Sequence, residues 1–110
     1  MDKSTTLAGL QALSQETRLD VFRLLMRAGP EGMAAGEIAQ TCGVRQNTMS
    51  THLSILSQAG LVRAAREGRS VRYSADIDGI RDLLAFLVHD CCGGNPQQCQ
   101  TLIKAISIPC

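Results

Sequence analysis

The stretch from Gly43 to Val62, GVRQNTMSTHLSILSQAGLV, constrains the fold of this chain more than any other. Apolar residues recur at Val44, Met49, Leu53, Leu56 and, past the terminating Gly60, Leu61, so one face packs inward at helical spacing. The opposite face is short and polar. Arg45, Gln46, Asn47, Ser50, Thr51 and Ser54 carry donors and acceptors on side chains that let a helix N-terminus approach base edges and phosphates. A helix shaped only for solubility would more often carry Glu and Lys there. Arg45 is the only formally charged residue between Gly43 and Val62, which suits a surface that meets a polyanion without repelling it. The segment predicts a DNA-reading helix.

Its flanks agree. Over residues 34–41, Ala35, Ile38, Ala39 and Cys42 follow the i, i+3, i+4, i+7 spacing of a short helix, and Gly43 supplies the turn after it. Helix, tight turn, polar-faced helix is the order of a helix-turn-helix. Downstream, residues 61–66 and 70–75 flank Glu67-Gly68-Arg69, and Val71, Tyr73 and Ala75 alternate with Arg72 and Ser74. This predicts a two-stranded hairpin, a wing, carrying Arg63, Arg66, Arg69 and Arg72. Arginine also protects exposed strand edges, but beside a helix-turn-helix a phosphate or minor-groove contact is the stronger reading for these side chains.

Upstream, residues 4–13 place Leu7, Leu10 and Leu13 three apart on a short helix, and Ser14 is positioned to cap the next one. Leu19, Phe22, Leu25 and Met26 form the expected buried face of that second helix. A last helix is expected from Asp78 to about Cys91, with Asp78 or Asp76 near its start and Ile80, Leu83, Leu84, Leu87, Val88 and Cys91 on a broad apolar face. A chain of 110 residues builds one modest core, and this is more apolar surface than such a core uses. A symmetric dimer on the first and last helices follows, with Leu7, Leu10, Leu13, Leu84, Leu87 and Val88 at its interface. The expected fold class is mainly α with a small β-hairpin. Residues 1–92 form the winged helix-turn-helix and dimerisation domain, and residues 93–110 a C-terminal ligand loop and tail.

Net charge is +1, but residues 44–75 hold five Arg against Glu67, while acidic side chains are in excess on both sides. Positive charge therefore gathers around the reading helix, the footprint of a DNA-binding face. No secretion signal is recognisable and no apolar run approaches the roughly 20 residues of a membrane span. The expected location is the cytoplasm, with no membrane partner.

The run HDCCGGNPQQC supplies Cys91, Cys92 and Cys99 within nine residues, with Gly93-Gly94 and Pro96 suited to a return loop. Adjacent cysteines are poorly placed to bridge each other. Three thiolates suit a trigonal thiophilic centre, foremost trivalent arsenic or antimony, As(III) or Sb(III). Zinc needs a fourth ligand, for which His89 or Asp90 is available. A soft divalent metal, a redox or persulfide switch on Cys92 and Cys99, and plain structural thiols are the alternatives. At a helix C-terminus the dipole disfavours thiolate, so thiols there stay protonated until a ligand displaces their protons. Cys42 reads as a small buried hydrophobe and Cys110 as a bystander. No activating base beside a cysteine, phosphate-binding loop or cleft-forming βα unit is recognisable, so no enzyme activity is expected.

Over about Leu13 to Cys99 the chain resembles the ArsR/SmtB family of winged-helix metalloregulatory repressors, through ALSQETRLDVFRLL, NTMSTHLSILSQAGLVRAAREGRSVRYS and DCCGGNPQQC. The last segment is similar to arsenite-responsive members that use a cysteine pair at the end of the final helix plus one further cysteine. The resemblance implies a homodimer that binds double-stranded operator DNA and releases it when As(III) or Sb(III) binds. It also implies Cys91, Cys92 and Cys99 as ligands. Gln46, Asn47, Thr48, Ser50, Thr51 and His52 become the DNA-facing positions, with Arg66, Arg69 and Arg72 on the phosphate backbone. The chain departs from the pattern in three places. Ala34-Ala35-Gly36 replace a cysteine motif found in other arsenic sensors, the paired Asp/His pattern of zinc sensors is missing, and Arg45 stands where a capping Ser is frequent. That Arg is read as a DNA contact.

Overall fold

The computed structural model describes residues 2–88, 100–102 and 104–105. The expected extension of the last helix to Cys91, the Gly93-Gly94 and Pro96 bend, the three-cysteine run with His89 and Asp90, and Cys110 lie outside the described residues. Within residues 2–88 the elements follow in the order α1 (Lys3–Leu13), α2 (Glu16–Ala28), β1 (Met33–Ala34), α3 (Ala35–Cys42), α4 (Gln46–Gln58), β2 (Val62–Glu67), β3 (Ser70–Ala75) and α5 (Ile77–Val88).

The core lies where α2, α3 and α4 meet beneath α1 and the base of the hairpin. Val21, Leu25, Ile38, Met49, Leu53, Leu56 and Leu61 are fully buried, and each contributes roughly 1.5–3 kcal/mol by leaving water. Met49, Leu53 and Leu56 anchor α4 from below, as its spacing predicts. The buried face of α2 is turned from expectation: Val21 joins Phe22 and Leu25 inside, while Leu19 and Met26 remain exposed. The reason is the side from which α3 and α4 approach.

Local chemistry fixes the helix ends. Asp2 caps α1 by accepting the Thr5 N–H at 2.7 Å. Ser14 ends α1 instead of starting α2, its hydroxyl donating to the Gln11 carbonyl at 2.8 Å. The cap of α2 is Gln15, whose Oε1 accepts the Arg18 N–H at 2.9 Å. Glu37 accepts the Ala34 N–H at 3.1 Å at the start of α3. Gly43 ends α3 in the left-handed region, with φ 67° and ψ 34°, a conformation open to Gly at little cost. Its N–H and that of Val44 close on the α3 carbonyls of Gln40 and Ala39, and the chain is redirected into α4.

The wing is three-stranded in the order β1-β3-β2, antiparallel throughout. β2 and β3 pair from Val62 with Ala75 to Glu67 with Ser70 around a turn at Gly68. The third strand, missing from the expected hairpin, is the two-residue β1, with Met33 opposite Tyr73 and Ala34 opposite Arg72. It fastens the wing to the start of the helix-turn-helix.

α5 begins at Asp76, whose carboxylate accepts the Gly79 N–H at 3.0 Å. A Cβ on Gly79 would overlap the Gly60 carbonyl oxygen, so α5 starts in direct backbone contact with the turn that ends α4. Of the apolar face expected of α5, Leu83 is buried and Ile80 partly so. α1 turns Thr6, Gly9 and Ala12 inward, and Leu83 fits against Gly9. Leu7, Leu10, Leu84 and Leu87 face out. No helix among the described residues is long and apolar enough to cross a membrane.

Candidate nucleic-acid interface

α4 presents Gln46, Asn47, Thr48, Ser50 and Thr51 on its outer side, all exposed, with Arg45 exposed at the position just before it. Arg45 offers no acceptor and makes no side-chain cap. Among the described residues only the Asn47 Oδ1 intervenes in the first turn, accepting the Thr48 N–H at 2.8 Å. The helix thus opens with unsatisfied N–H groups and a guanidinium, an arrangement that favours an approaching phosphate. Ser50 and Thr51 return their hydroxyls to the Gln46 and Asn47 carbonyls at 3.0 and 3.5 Å, so their oxygens keep lone pairs for an incoming donor.

The wing arginines divide into two groups. Arg66 and Arg69 are exposed and have no carboxylate partner among the described residues. Arg72 differs from expectation. Its Nε donates to the Glu31 carbonyl at 3.0 Å and an Nη to the Gly32 carbonyl at 2.9 Å, with Glu37 at 3.8 Å. Facing β1 at the centre of the sheet, it clamps the wing to the turn after α2 and leaves Arg66 and Arg69 as the wing's uncommitted cations. Arg63 is likewise engaged, 3.3 Å from Asp76 and 3.4 Å from Asp78.

His52 lies one turn further along α4 and is partly buried. Its Nδ1 is 3.3 Å from an Nη of Arg18, and burial, followed by the Arg18 charge, holds the imidazole below its ordinary pKa. Arg18 was not among the expected site residues. Its signal was nevertheless in the sequence: Arg18, Val21, Phe22 and Leu25 share the i, i+3, i+4, i+7 stripe, and a charge on an otherwise buried stripe requires a specific partner.

Of the six residues expected at a dimer interface, Leu7, Leu10, Leu84 and Leu87 fall on the outer sides of α1 and α5, while Leu13 packs against the core. Leu7 and Leu87 are about half exposed, at 51% and 52%, Leu10 and Leu84 are also exposed, and Leu13 and Val88 are partly covered. Cys42 packs against the core, and burial, then the Asp20 charge, pushes its thiol pKa up. Cys91, Cys92 and Cys99 lie outside the described residues.

A helix-turn-helix domain family matches residues 13–64. The chain is 32% identical over 80 residues to a probable mercury resistance operon repressor of Streptomyces lividans, covering 73% of this chain and 62% of the relative. It is 34% identical over 77 residues to a putative arsenical resistance operon repressor of Halobacterium salinarum, covering 70% and 59%. With the transcriptional repressor SdpR of Bacillus subtilis it shares 30% identity over 79 residues, 72% of this chain and 84% of that one. The chain therefore spans less than two thirds of the length of the first two. Among solved structures, the homodimeric winged helix-turn-helix DNA-binding domain of a possible ArsR-family regulator from Mycobacterium bovis superposes with a TM-score of 0.65 at 28% identity, covering 76% of this chain and 75% of that one.

Proposed function

The chain belongs to the ArsR family of winged-helix transcriptional regulators, and on that premise we propose that it represses an arsenic-resistance operon and leaves its operator when As(III) or Sb(III) binds Cys91, Cys92 and Cys99. The observation that carries the DNA half is the α4 surface: an exposed, uncharged polar face led by Arg45 and flanked by Arg66 and Arg69. Two copies joined through α1 and α5 present two such faces, as a two-fold operator requires. The homodimeric Mycobacterium bovis domain supports a homodimer. DNA contacts are assigned to Arg45, Gln46, Asn47, Thr48, Ser50, Thr51, His52, Arg66 and Arg69, with residues 1–92 the DNA-binding and dimerisation unit and 93–110 the ligand loop and tail.

The ligand half rests on the donor set and on the arsenical-resistance relative. Three thiols condensing with arsenous acid form three As–S bonds and release three waters, with no change in oxidation state. That chemistry needs three soft sulfur donors and no fourth ligand. Release follows if the ligated dimer holds its reading helices at a spacing that no longer matches successive major grooves. A coupling of about 1–3 kcal/mol weakens operator binding some 5- to 150-fold. The mercury-resistance relative favours a second reading, the same repressor released by a soft divalent ion.

Fluorescence anisotropy of a labelled promoter fragment with reduced protein, titrated separately with arsenite, mercuric ion, zinc and a persulfide donor, tests both readings. Release by arsenite is the expected result. Release only by mercuric ion or zinc moves the function to divalent sensing, and release only by the persulfide donor to redox sensing. Absence of DNA binding before any addition removes the repressor reading.

A further inference from the structure

We propose that Arg18 fixes the proton placement and orientation of His52, so that the reading helix offers DNA a neutral imidazole donating from Nε2 and anchored to the end of α1. This deepens the repressor reading and rests on it. The argument begins with donor inventory. Arginine only donates, so the Nδ1 atom 3.3 Å from its Nη must accept. A neutral ring that accepts at Nδ1 carries its proton on Nε2, and an imidazolium, with a donor at both nitrogens, does not fit beside the guanidinium. Burial and the Arg18 charge both act in that direction.

The second half of the argument is the other contact of the same side chain. The Arg18 Nε donates to the Ala12 carbonyl at 2.7 Å, one of the last carbonyls of α1, which lack intrahelical partners. Ala12 is itself buried. A single planar fork on α2 therefore ties the C-terminal turn of α1 to a ring on α4, 34 residues further along the chain. Lysine does not reproduce this, because a point ammonium lacks the rigid two-sided geometry. Two consequences follow. His52 is a donor, suited to phosphate oxygens or to the N7 and O6 acceptors of purines. A displacement of α1 is also felt at the reading surface through one side chain. Arg18 is thus a positioning residue, acting on DNA through His52.

The test uses the full reduced chain. Long-range ¹H–¹⁵N spectra of the ring nitrogens, with His52 distinguished from His89 by the His52→Gln variant, are expected to show the Nε2–H tautomer at neutral pH. In Arg18→Met they should show a mixture of tautomers. An Nδ1–H ring in the wild type, or no change in Arg18→Met, overturns the proposal. In parallel, operator binding should weaken about tenfold or more in Arg18→Met and Arg18→Lys, as expected for losing a charge-assisted bond. His52→Phe, which removes the donor, should fall as far as Arg18→Met. Wild-type affinity in Arg18→Lys reduces Arg18 to a charge and overturns the positioning role, as does a lowered melting temperature with unchanged operator affinity. Should Arg18→Met fail to fold, the wild-type tautomer and His52→Phe still decide. A wild type that does not bind DNA defeats the repressor reading and the DNA half of this proposal, while the ring spectra still decide the Arg18–His52 linkage.

Discussion

Asp76 shows how much one side chain settles at the junction of wing and last helix. Burial pushes its pKa up, but the Gly79 N–H and the Arg63 guanidinium outweigh burial, and the carboxyl is held below its ordinary range. A carboxylate with a depressed folded pKa stabilises the fold above its unfolded value of about 4, and that contribution is lost as pH falls through the lower folded value. Asp76→Asn keeps a capping side chain and loses the charge. Because Arg63 is largely exposed, the variant should lose only about 1 kcal/mol or less near neutrality, with a flatter acid limb in melting temperature between pH 2 and 5. Parallel acid limbs for the two proteins would count against the carboxylate. At the thiols, Cys99→Ser should leave operator affinity unchanged and abolish release by arsenite. Loss of DNA binding in that variant would mean that the cysteine is structural.

At the scale of elements, the reading helix was legible because its 3.6-residue period is strong: Met49, Leu53 and Leu56 are buried and Ser50, Thr51 and Ser54 exposed, as the spacing required. The turn at Gly43 was legible for a backbone reason. β1 was not, since two residues carry no period and become a strand only by pairing with Tyr73 and Arg72 from a distant part of the chain. The same pairing draws Arg72 away from the outer surface, which no inspection of β3 by itself reveals. The inward face of α2 was misjudged between neighbouring candidates, Leu19 and Met26 against Val21, because the direction of approach of α3 and α4 is a tertiary fact. Two predictions belong here. Gly79→Ala places a methyl where the Gly60 carbonyl lies, so α5 must shift from the end of α4, at a cost of about 1–3 kcal/mol in urea denaturation. Arg69→Ala, acting twice in a dimer, should lower the slope of log affinity against log salt by about 2. An unchanged slope would remove the wing tip from the interface.

For the whole molecule, the surplus apolar surface on α1 and α5 was readable from the leucine count, and the structure leaves Leu7, Leu10, Leu84 and Leu87 uncovered on one protomer. Leu7→Lys with Leu87→Lys should yield a monomer in sedimentation while retaining helical content, with operator affinity lost because one reading helix spans only half a site. A dimer persisting in the double variant would place the interface elsewhere. Among the described residues, Arg45, Arg66 and Arg69 are the exposed arginines of residues 44–75 without a carboxylate or carbonyl partner, and two copies of them support a salt slope of about −5. So sparing a charge limits adsorption to bulk chromosomal DNA, where affinity comes almost wholly from counterion release. Under the proposed function, a small pool of repressor then finds its operator without being titrated away, and an equally small dose of inducer suffices to empty it.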